Sequence, residues 1–340
     1  MPTTINKIGV IGAGAWGTAL AKHLAEKGLD VRLWAYEQDV VHAINTSREN
    51  PVFLKGIHLP SNLSATSSLM EAVHGCDGVL FAVPSHLTRS MLHQLAPCIS
   101  EPLPLVCATK GIEEHTAKLM TQVMEDELPP SMHRSLMVLS GPSFASEFSV
   151  GKPTAVCLAG SDEQLVHRFQ RALMTPVLRV YADTDVIGVQ LGGALKNVMA
   201  LAAGVIDGLD LGLNARAALI TRGLAEIVRL GVAMKADPRT FYGLSGVGDL
   251  VLTCTGTLSR NHSVGVRLGR GEKLATILAG MQAVAEGVRT SRAALTLARR
   301  YQIDMPIIQE INAVLYDDKS CRKAVTDLME RDAKSEKGWT

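Results

Sequence analysis

The sequence predicts a two-domain α/β protein, with a doubly wound α/β domain at residues 1–187 and an all-α domain at residues 188–340. The length of 340 residues exceeds what one ordinary hydrophobic core organises. Short apolar runs rich in β-branched residues alternate with amphipathic stretches in the first half, which indicates βαβ units around a parallel sheet. After about Asp185 strand-like runs almost vanish and helical periodicity takes over.

The predicted elements follow one another along the chain. The first helix, TALAKHLAEKG, lies between the strands KIGVIG and VRLWAY. Further strands are predicted at GVLFAVP, LVCATK, LMVLSGP and TAVCLAG. In the second half, residues 186–234 form a nearly continuous helical pattern, and helical segments follow at 274–300 and 307–330.

Composition excludes several classes of function. Lys and Arg number 34 against 33 Asp and Glu, with no basic block, so no nucleic-acid partner is predicted. The six cysteines lie scattered without metal-ligand spacing, which predicts no metal site and fits reduced thiols in the cytoplasm. The strand that begins near Lys7 leaves no room for a signal peptide. The apolar run 186–206 is long enough for a membrane span, but its glycines and polar residues predict a helix buried in protein.

A glycine motif follows the first strand. Gly12, Gly14 and Gly17 have the G-x-G-x-x-G spacing between a strand and a helix, which predicts a Rossmann-type dinucleotide site. Gly12 permits the tight turn, Gly14 lets the backbone approach a pyrophosphate, and Gly17 lets the helix pack against the strand. The helix N-terminus then faces the phosphates. The alternative is an α/β turn that binds nothing.

The second strand ends near a candidate ribose ligand. Glu37 lies about 20 residues past Gly17, the usual offset for an acid that binds the ribose 2′-OH of NAD. A solvated surface acid is an equally simple interpretation. No arginine stands at that point, although Arg32 and Arg48 are nearby, so NAD and NADP both remain open.

Several sequence blocks together resemble one enzyme family. In chain order they are GVIGAGAWGTALA, FAVPSH, ATKGIE, SGPSFA, IGVQLGGALKNVMAL, NARAALITRGLAE, GVGDLVLTC, SRN and VAEGVRT. From about residue 7 to about residue 325 the chain resembles bacterial NAD(P)-dependent glycerol-3-phosphate dehydrogenase. The resemblance implies reduction of dihydroxyacetone phosphate to sn-glycerol 3-phosphate with NAD(P)H, which feeds glycerophospholipid biosynthesis. It also implies a homodimer.

Lys196 is the single formal charge in the apolar run 186–206. A lysine is costly to desolvate there, yet Gly192 and Gly193 one turn earlier would let another group approach it. Close helix packing with the ammonium reaching water explains the pattern equally well. The resemblance favours a catalytic role for Lys196, because it makes the lysine of LGGALKN the catalytic acid/base. An ammonium there stabilises the alkoxide that hydride transfer creates and donates a proton to it.

The resemblance also assigns the neighbours of Lys196. Lys110, in ATKG, is a second cation that contacts both substrate and cofactor. Asp249, in GVGDL, balances the charge, and Asn197 and Thr253 are orienting hydrogen-bond partners. By capping preference alone, Asp249 could instead be a helix N-cap beside a glycine.

The remaining contacts that the resemblance implies fall into two groups. Those with substrate are Gly141, Ser143 and, at the phosphate end, Ser259, Arg260 and Asn261, in a segment beside a predicted helix start. Those with the cofactor are Ala15, Trp16, Tyr36, Ala145, Arg260, Val284 and Glu286. Tyr36 departs from the basic or imidazole side chain of many relatives, which weakens the case for NADP over NAD.

Two alternatives stand beside this interpretation. A β-hydroxyacid or 6-phosphogluconate-type dehydrogenase shares the fold and the lysine on a glycine-bearing helix, but the SRN and GVGDLVLTC segments count against it. A non-catalytic NAD(H)-binding regulator would be indicated by loss of Lys110, Lys196 or Asp249, and all three are present.

Overall fold

The computed structural model describes residues 4–281, 284–333 and 335–336. The chain divides into two compact units. Unit 1 consists of Met1–Thr109 and Met120–Val186, and unit 2 of Lys110–Leu119 and Ile187–Thr340. The chain therefore leaves unit 1 after Thr109, contributes ten residues to unit 2, and returns.

Unit 1 contains an eight-stranded sheet within the described residues. Its strands are β1 (Lys7–Ile11), β2 (Asp30–Trp34), β3 (Leu63–Thr66), β4 (Gly78–Phe81), β5 (Leu105–Cys107), β6 (Leu136–Ser140), β7 (Thr154–Gly160) and β8 (Leu178–Asp183). The order is β3-β2-β1-β4-β5-β6-β7-β8, which contains the 3-2-1-4-5-6 order of dinucleotide-binding folds. The predicted Rossmann-type domain is thus confirmed, and β3 and β8 are strands that the pattern did not predict.

The helices of unit 1 connect the strands of the sheet. They are α1 (Ala15–Glu26), α2 (Gln38–Ser47), α3 (Leu69–Val73), α4 (Thr88–Leu95), α5 (Met120–Glu127), α6 (Ala145–Phe148) and α7 (Glu163–Leu173). The expectation of a parallel sheet is wrong at one pair, since β7 runs antiparallel to β6. The α-helix in the connection between these strands, α6, is a single turn, whereas a parallel crossover usually contains a full helix.

Unit 2 is helical. Its helices are α8 (Val186–Gly208, whose first residue closes unit 1), α9 (Gly212–Ala233), α10 (Asp249–Thr255), α11 (Arg260–Gly269), α12 (Leu274–Ala279), α13 (Glu286–Arg300), α14 (Pro306–Tyr316) and α15 (Cys321–Met329). By length and composition α8 could cross a membrane, but 89% of its most apolar window is buried inside the structure. The prediction of a helix buried in protein is confirmed.

Helices α8 and α11 pack with their backbones in direct contact. A Cβ atom at Gly204 of α8 would lie 2.1 Å from a backbone oxygen of α11, and one at Gly265 of α11 would lie 2.1 Å from a backbone oxygen of α8. Gly208 and Gly269, one turn further along each helix, are equally restricted by the opposite backbone. The glycines on both helices therefore permit an approach that any side chain would prevent. We refer to these four glycines as the glycine seam.

Candidate active site

The glycine motif of unit 1 has the geometry of a phosphate-binding turn. Gly12 has a φ of +111°, which favours glycine, and a Cβ there would lie 2.7 Å from the Ala82 oxygen. A Cβ at Gly17 would lie 1.9 Å from the Gly12 oxygen, so this glycine is required where α1 packs against the turn. Gly14 differs, because no atom lies within 4 Å of its virtual Cβ. The space in front of Gly14 is open to a ligand.

The N-terminus of α1 can receive an anion. Gly14 caps the helix without a side-chain hydrogen bond, and the first turn carries no acidic residue. Its backbone N–H groups and the helix dipole therefore favour a bound phosphate. Trp16 places its Nε1 in a buried position where, among the described residues, it has no hydrogen-bond partner. These observations fit a dinucleotide pyrophosphate at this turn.

The other predicted cofactor residues of unit 1, and its predicted substrate residues, lie at the carboxyl ends of strands. Glu37 is the N-cap position of α2, just past β2, and is exposed. The adjacent Tyr36 is 79% exposed. Ala145 begins α6, and Gly141, which has a φ of +137°, accepts a hydrogen bond from the Ser143 hydroxyl at 2.8 Å. In open α/β sheets this is the edge at which ligands bind.

A buried charge cluster surrounds Lys196 in unit 2. The Lys196 ammonium donates to Asp249 Oδ1 at 2.5 Å and to Thr253 Oγ1 at 2.8 Å. Lys110 donates to the other carboxylate oxygen, Oδ2, at 2.8 Å. The Asp249 side chain is fully buried and that of Lys196 is 8% exposed. The lysine tip therefore points at a carboxylate and a hydroxyl, whereas the alternative of close helix packing requires the ammonium to reach water.

Two helices and one short segment bring the cluster together. Asp249 and Thr253 are four residues apart at the start and on the same face of α10, so both face the lysine of α8. Asp249 is the first residue of that helix and Gly248 occupies the N-cap position, so the capping alternative for Asp249 does not hold. Lys110 arrives on the segment Lys110–Leu119. The sequence placed Lys110 at a strand end, and it gave no sign that this segment joins the helical unit.

Burial changes the acidity of Lys196. Desolvation lowers the pKa of its ammonium from 10.5 to about 8. The Lys110 cation adds to this lowering, and the Asp249 carboxylate opposes it. A lysine with a pKa near 8 can donate a proton as the ammonium at neutral pH and accept one as the neutral amine in mild alkali.

A chain of buried amides runs beside the charge cluster. Asn197 donates to the backbone oxygen of Lys110 at 3.1 Å, and Asn261 donates to Asn197 Oδ1 at 2.9 Å. Asn261 Oδ1 in turn accepts from the backbone N–H of Gly287 at 2.9 Å. The structure thus engages the Asn261 amide within unit 2, where the resemblance implies a phosphate contact. Sequence reasoning missed this chain, since nothing in the local pattern links these positions.

The predicted phosphate segment forms the first turn of α11. Ser259 is its N-cap, and the Ser259 hydroxyl oxygen accepts from the His262 N–H at 3.2 Å. Arg260 is the first residue of the helix and is exposed. Glu286 begins α13 and Val284 lies two residues before it. Within the ranges that the structure describes, no cluster of His, Cys, Asp and Glu could hold a metal ion.

Comparison with known proteins gives one consistent result. The model of the NAD-dependent glycerol-3-phosphate dehydrogenase N-terminus matches residues 7–166, and that of the C-terminus matches residues 185–326. A Geobacter sulfurreducens protein named glycerol-3-phosphate dehydrogenase (NAD(P)+) is 55% identical over 97% of this chain and 99% of its own. The crystal structure of glycerol-3-phosphate dehydrogenase from Coxiella burnetii superposes with a TM-score of 0.92 at 37% identity, over 97% of this chain and 100% of that one.

Proposed function

The chain belongs to the NAD-dependent glycerol-3-phosphate dehydrogenase family, and we propose that it reduces dihydroxyacetone phosphate to sn-glycerol 3-phosphate with NADH or NADPH. The observation that carries this proposal is the buried cluster of Lys196, Lys110 and Asp249. The cluster provides an ammonium held at the pKa and in the desolvated surroundings that proton transfer to a ketone oxygen requires.

Lys196 is the proton donor of this reaction. The reduced nicotinamide, when bound, supplies a hydride to the C2 carbonyl carbon. As the carbonyl π bond breaks, negative charge develops on its oxygen, and the Lys196 ammonium stabilises the charge and transfers its proton there. In the reverse direction the neutral amine takes the proton from the C2 hydroxyl. The pKa of about 8 makes both directions accessible near neutral pH.

Asp249 and Thr253 position the lysine, and Lys110 supplies a second charge. The Asp249 carboxylate receives one lysine on each oxygen, which fixes the distance between the two cations. Thr253 donates its own hydrogen to the backbone oxygen of Asp249 at 2.6 Å, so its hydroxyl oxygen faces the Lys196 ammonium as an acceptor. With two cations around one anion, the cluster keeps a net positive charge for an anionic substrate and a developing alkoxide.

The first turn of α11 is the proposed phosphate site. Arg260 offers a guanidinium, and the N-terminal backbone N–H groups of the helix favour a dianion. Ser259 can donate its hydroxyl hydrogen while its oxygen caps the helix. We assign Asn261 to this site through its position on that turn and its bond to Asn197, beside Lys196. Gly141 and Ser143 complete the proposed substrate contacts.

The dinucleotide is assigned to residues 1–187 and the substrate chemistry mainly to residues 188–340. Gly12, Gly14, Ala15, Trp16 and Gly17 would hold the pyrophosphate, on the support of the open space at Gly14 and the buried Trp16 Nε1. Glu37 and Tyr36 would flank the adenosine ribose. The remaining cofactor contacts that we propose are Lys110, Ala145, Arg260, Val284 and Glu286.

A homodimer formed through unit 2 is part of the proposal. A groove of about 770 Å³ in unit 2 is lined mainly by aliphatic residues of α8, α9, α14 and α15. Leu211 and Met329 line it while remaining 37% and 80% exposed, an uncovered apolar surface of the kind that interfaces use. Arg222 and Asp304 give its lining both signs of charge, which allows this surface to pair with its own copy across a two-fold axis. Light scattering that finds only monomers at micromolar concentration would contradict the dimer.

We also propose a cytoplasmic location and a supply of product to glycerophospholipid biosynthesis. The six cysteines, all within the described ranges, are free thiols, as in a reducing compartment. Fractionation of cells that produce the tagged protein tests the location, and a glycerol requirement after gene deletion tests the supply.

The deciding experiment follows oxidation of NADH and NADPH by the purified protein. We expect turnover with dihydroxyacetone phosphate and formation of sn-glycerol 3-phosphate. Glyceraldehyde 3-phosphate serves as the matched control, because it carries the same phosphate on an aldehyde, and little turnover is expected with it. Absence of turnover with dihydroxyacetone phosphate and both cofactors would overturn the proposal.

A further inference from the structure

A polar cluster outside the charged site joins three helices of unit 2. Asp207 Oδ2 is 2.8 Å from His262 Nε2 and accepts a hydrogen bond from the Arg216 guanidinium at 2.8 Å. Asp207 lies near the end of α8, Arg216 in α9 near its start, and His262 in the first turn of α11. The three side chains are between 13% and 25% exposed, so the contacts lie largely out of water.

The cluster is a polar link between α8 and the first turn of α11, and a second such link lies elsewhere along α8. The other is the bond from Asn261 to Asn197. The attachment points on α8, Asn197 and Asp207, are ten residues apart, roughly 15 Å along a helix. Two links so far apart restrain the rotation and tilt of the first turn of α11, whereas a single link would still allow this turn to rotate about the point of attachment.

The glycine seam gives these links a role in orienting α11. Helices usually fix their mutual orientation by interdigitating side chains. At the seam the α8 and α11 backbones meet without intervening side chains, so this part of the contact has no interlocking side chains to fix the rotation of one helix against the other. The polar bonds of Asn261 and His262 supply that specification.

We propose that His262 is a positioning residue for the substrate phosphate. Through Asp207 it holds the first turn of α11 so that Arg260 and the N-terminal N–H groups of the helix face the phosphate. This inference rests on the proposed function and adds a residue that does not itself touch substrate.

Loss of His262 has a limited structural cost. Asp207 keeps its charged hydrogen bond to Arg216 when the imidazole is removed, so no carboxylate is left without a cationic partner. A purely stabilising pair would change the melting temperature and affect all substrates equally. A positioning pair would affect the phosphorylated substrate selectively.

The test compares three His262 variants with dihydroxyacetone phosphate and unphosphorylated dihydroxyacetone. His262→Ala should raise KM for dihydroxyacetone phosphate about tenfold, equivalent to roughly 1.4 kcal/mol, with kcat within a factor of about two. The low kcat/KM for dihydroxyacetone should not change. His262→Gln should restore KM, because its amide nitrogen stands close to the position of Nε2 and can donate to Asp207. His262→Asn, one methylene shorter, should behave like the alanine variant.

His93→Ala is the matched control. His93 in unit 1 also contacts a carboxylate, Glu127, at 3.3 Å, and its removal should leave both substrates unaffected. Equal effects of His262→Ala on both substrates, an unchanged KM, or no rescue by glutamine would overturn the inference. Should His262→Ala not fold, the glutamine and asparagine variants still have to differ in KM. If the parent protein fails to reduce dihydroxyacetone phosphate, the proposed function itself is overturned.

Discussion

The two units prepare their sites in different ways. At the glycine motif of unit 1 the binding groups are backbone N–H groups, and the sequence contributes by omitting side chains at Gly12, Gly14 and Gly17. In unit 2 the working groups are side-chain charges, and burial around Lys196 and Asp249 sets their properties. Added atoms should therefore disable the first site, and altered charge should disable the second.

The largest expected effect comes from removing the buried cation. Lys196→Met keeps much of the stem volume but removes the proton donor, so kcat should fall by roughly two to four orders of magnitude. Affinity for NAD(P)H should be nearly unchanged. Because burial disfavours the Lys196 ammonium, and Asp249 keeps its bond to Lys110, the melting temperature should hold or rise.

Lys22→Met is the control for this change, since Lys22 also has a mostly buried side chain and contacts a carboxylate, Glu26. It should retain parental turnover. Near-parental kcat in Lys196→Met would end the catalytic role of Lys196, whatever its melting temperature.

The next largest effect tests the backbone site. Gly14→Val places atoms in the open space before the helix N-terminus, so dinucleotide affinity should fall on the order of a hundredfold through lost charge-assisted contacts. Gly17→Val instead forces atoms into the Gly12 carbonyl and should destabilise the fold. Titration calorimetry and thermal melting separate the two. Unchanged NAD(P)H affinity in a folded Gly14→Val protein would make the motif structural only.

The phosphate site should respond somewhat less strongly. Arg260→Ala should raise KM for dihydroxyacetone phosphate tens- to hundredfold, since a lost charge-assisted hydrogen bond costs about 2–3 kcal/mol. Dihydroxyacetone without its phosphate should be used equally poorly by variant and parent. A variant that still prefers the phosphorylated substrate as strongly as the parent does would refute the assignment.

The acidity of Lys196 predicts opposite pH profiles for the two directions. Reduction needs the ammonium, so kcat should fall as pH rises through about 8, while oxidation of sn-glycerol 3-phosphate needs the amine and should rise. Stopped-flow measurement of the chemical step on both sides of pH 8 checks this. Parallel profiles in both directions would show that another group controls the proton.

The last prediction concerns stability and not activity, at a buried acid of unit 2 away from the proposed active site. Glu226 of α9 accepts the backbone N–H of Ile307 at 2.8 Å, at the start of α14, and burial raises its pKa from 4.5 to about 7. The folded state therefore binds the proton of Glu226 more tightly than the unfolded state does. The contribution of this proton to the free energy of unfolding is complete below pH 4.5 and is lost as pH rises through 7. Glu226→Gln should be more stable than the parent at pH 8, by on the order of 2–3 kcal/mol, and nearly equal at pH 4.5. Denaturant titrations at the two pH values measure the free energy of unfolding of both proteins. The same difference between Glu226→Gln and the parent at both pH values would refute the coupling of stability to protonation of Glu226.

The same contrast explains what the sequence could predict. The glycine motif is local, so its turn and helix followed from adjacent residues, and the apolar run around Lys196 predicted α8. The pairing of Lys110 with Asp249 joins residues 139 positions apart, and no local pattern encodes it. Only the resemblance related Lys110 to Asp249.

The contacts that α11 makes inside unit 2 could not be predicted from the sequence for another reason. The sequence predicted a helix start near Ser259, which the structure confirms. It could not show that Asn261 turns to Asn197 or His262 to Asp207, because both depend on how closely two glycine-bearing helices approach. The antiparallel β7 likewise follows a connection whose α-helix is the single turn of α6, which composition does not reveal.

The route of the chain through Lys110–Leu119 has a consequence for how the protein folds while it is being translated. This segment leaves the ribosome before any other part of unit 2 has been made. Ile112 and Leu119, which lie in the core of unit 2, therefore have no partners there until α8 and the later helices follow. Unit 2 is therefore not one contiguous stretch of the gene. A fragment comprising residues 188–340 would lack part of its own core and one of its two clustered lysines, and co-expression with a peptide of residues 110–119 would be the way to complete it.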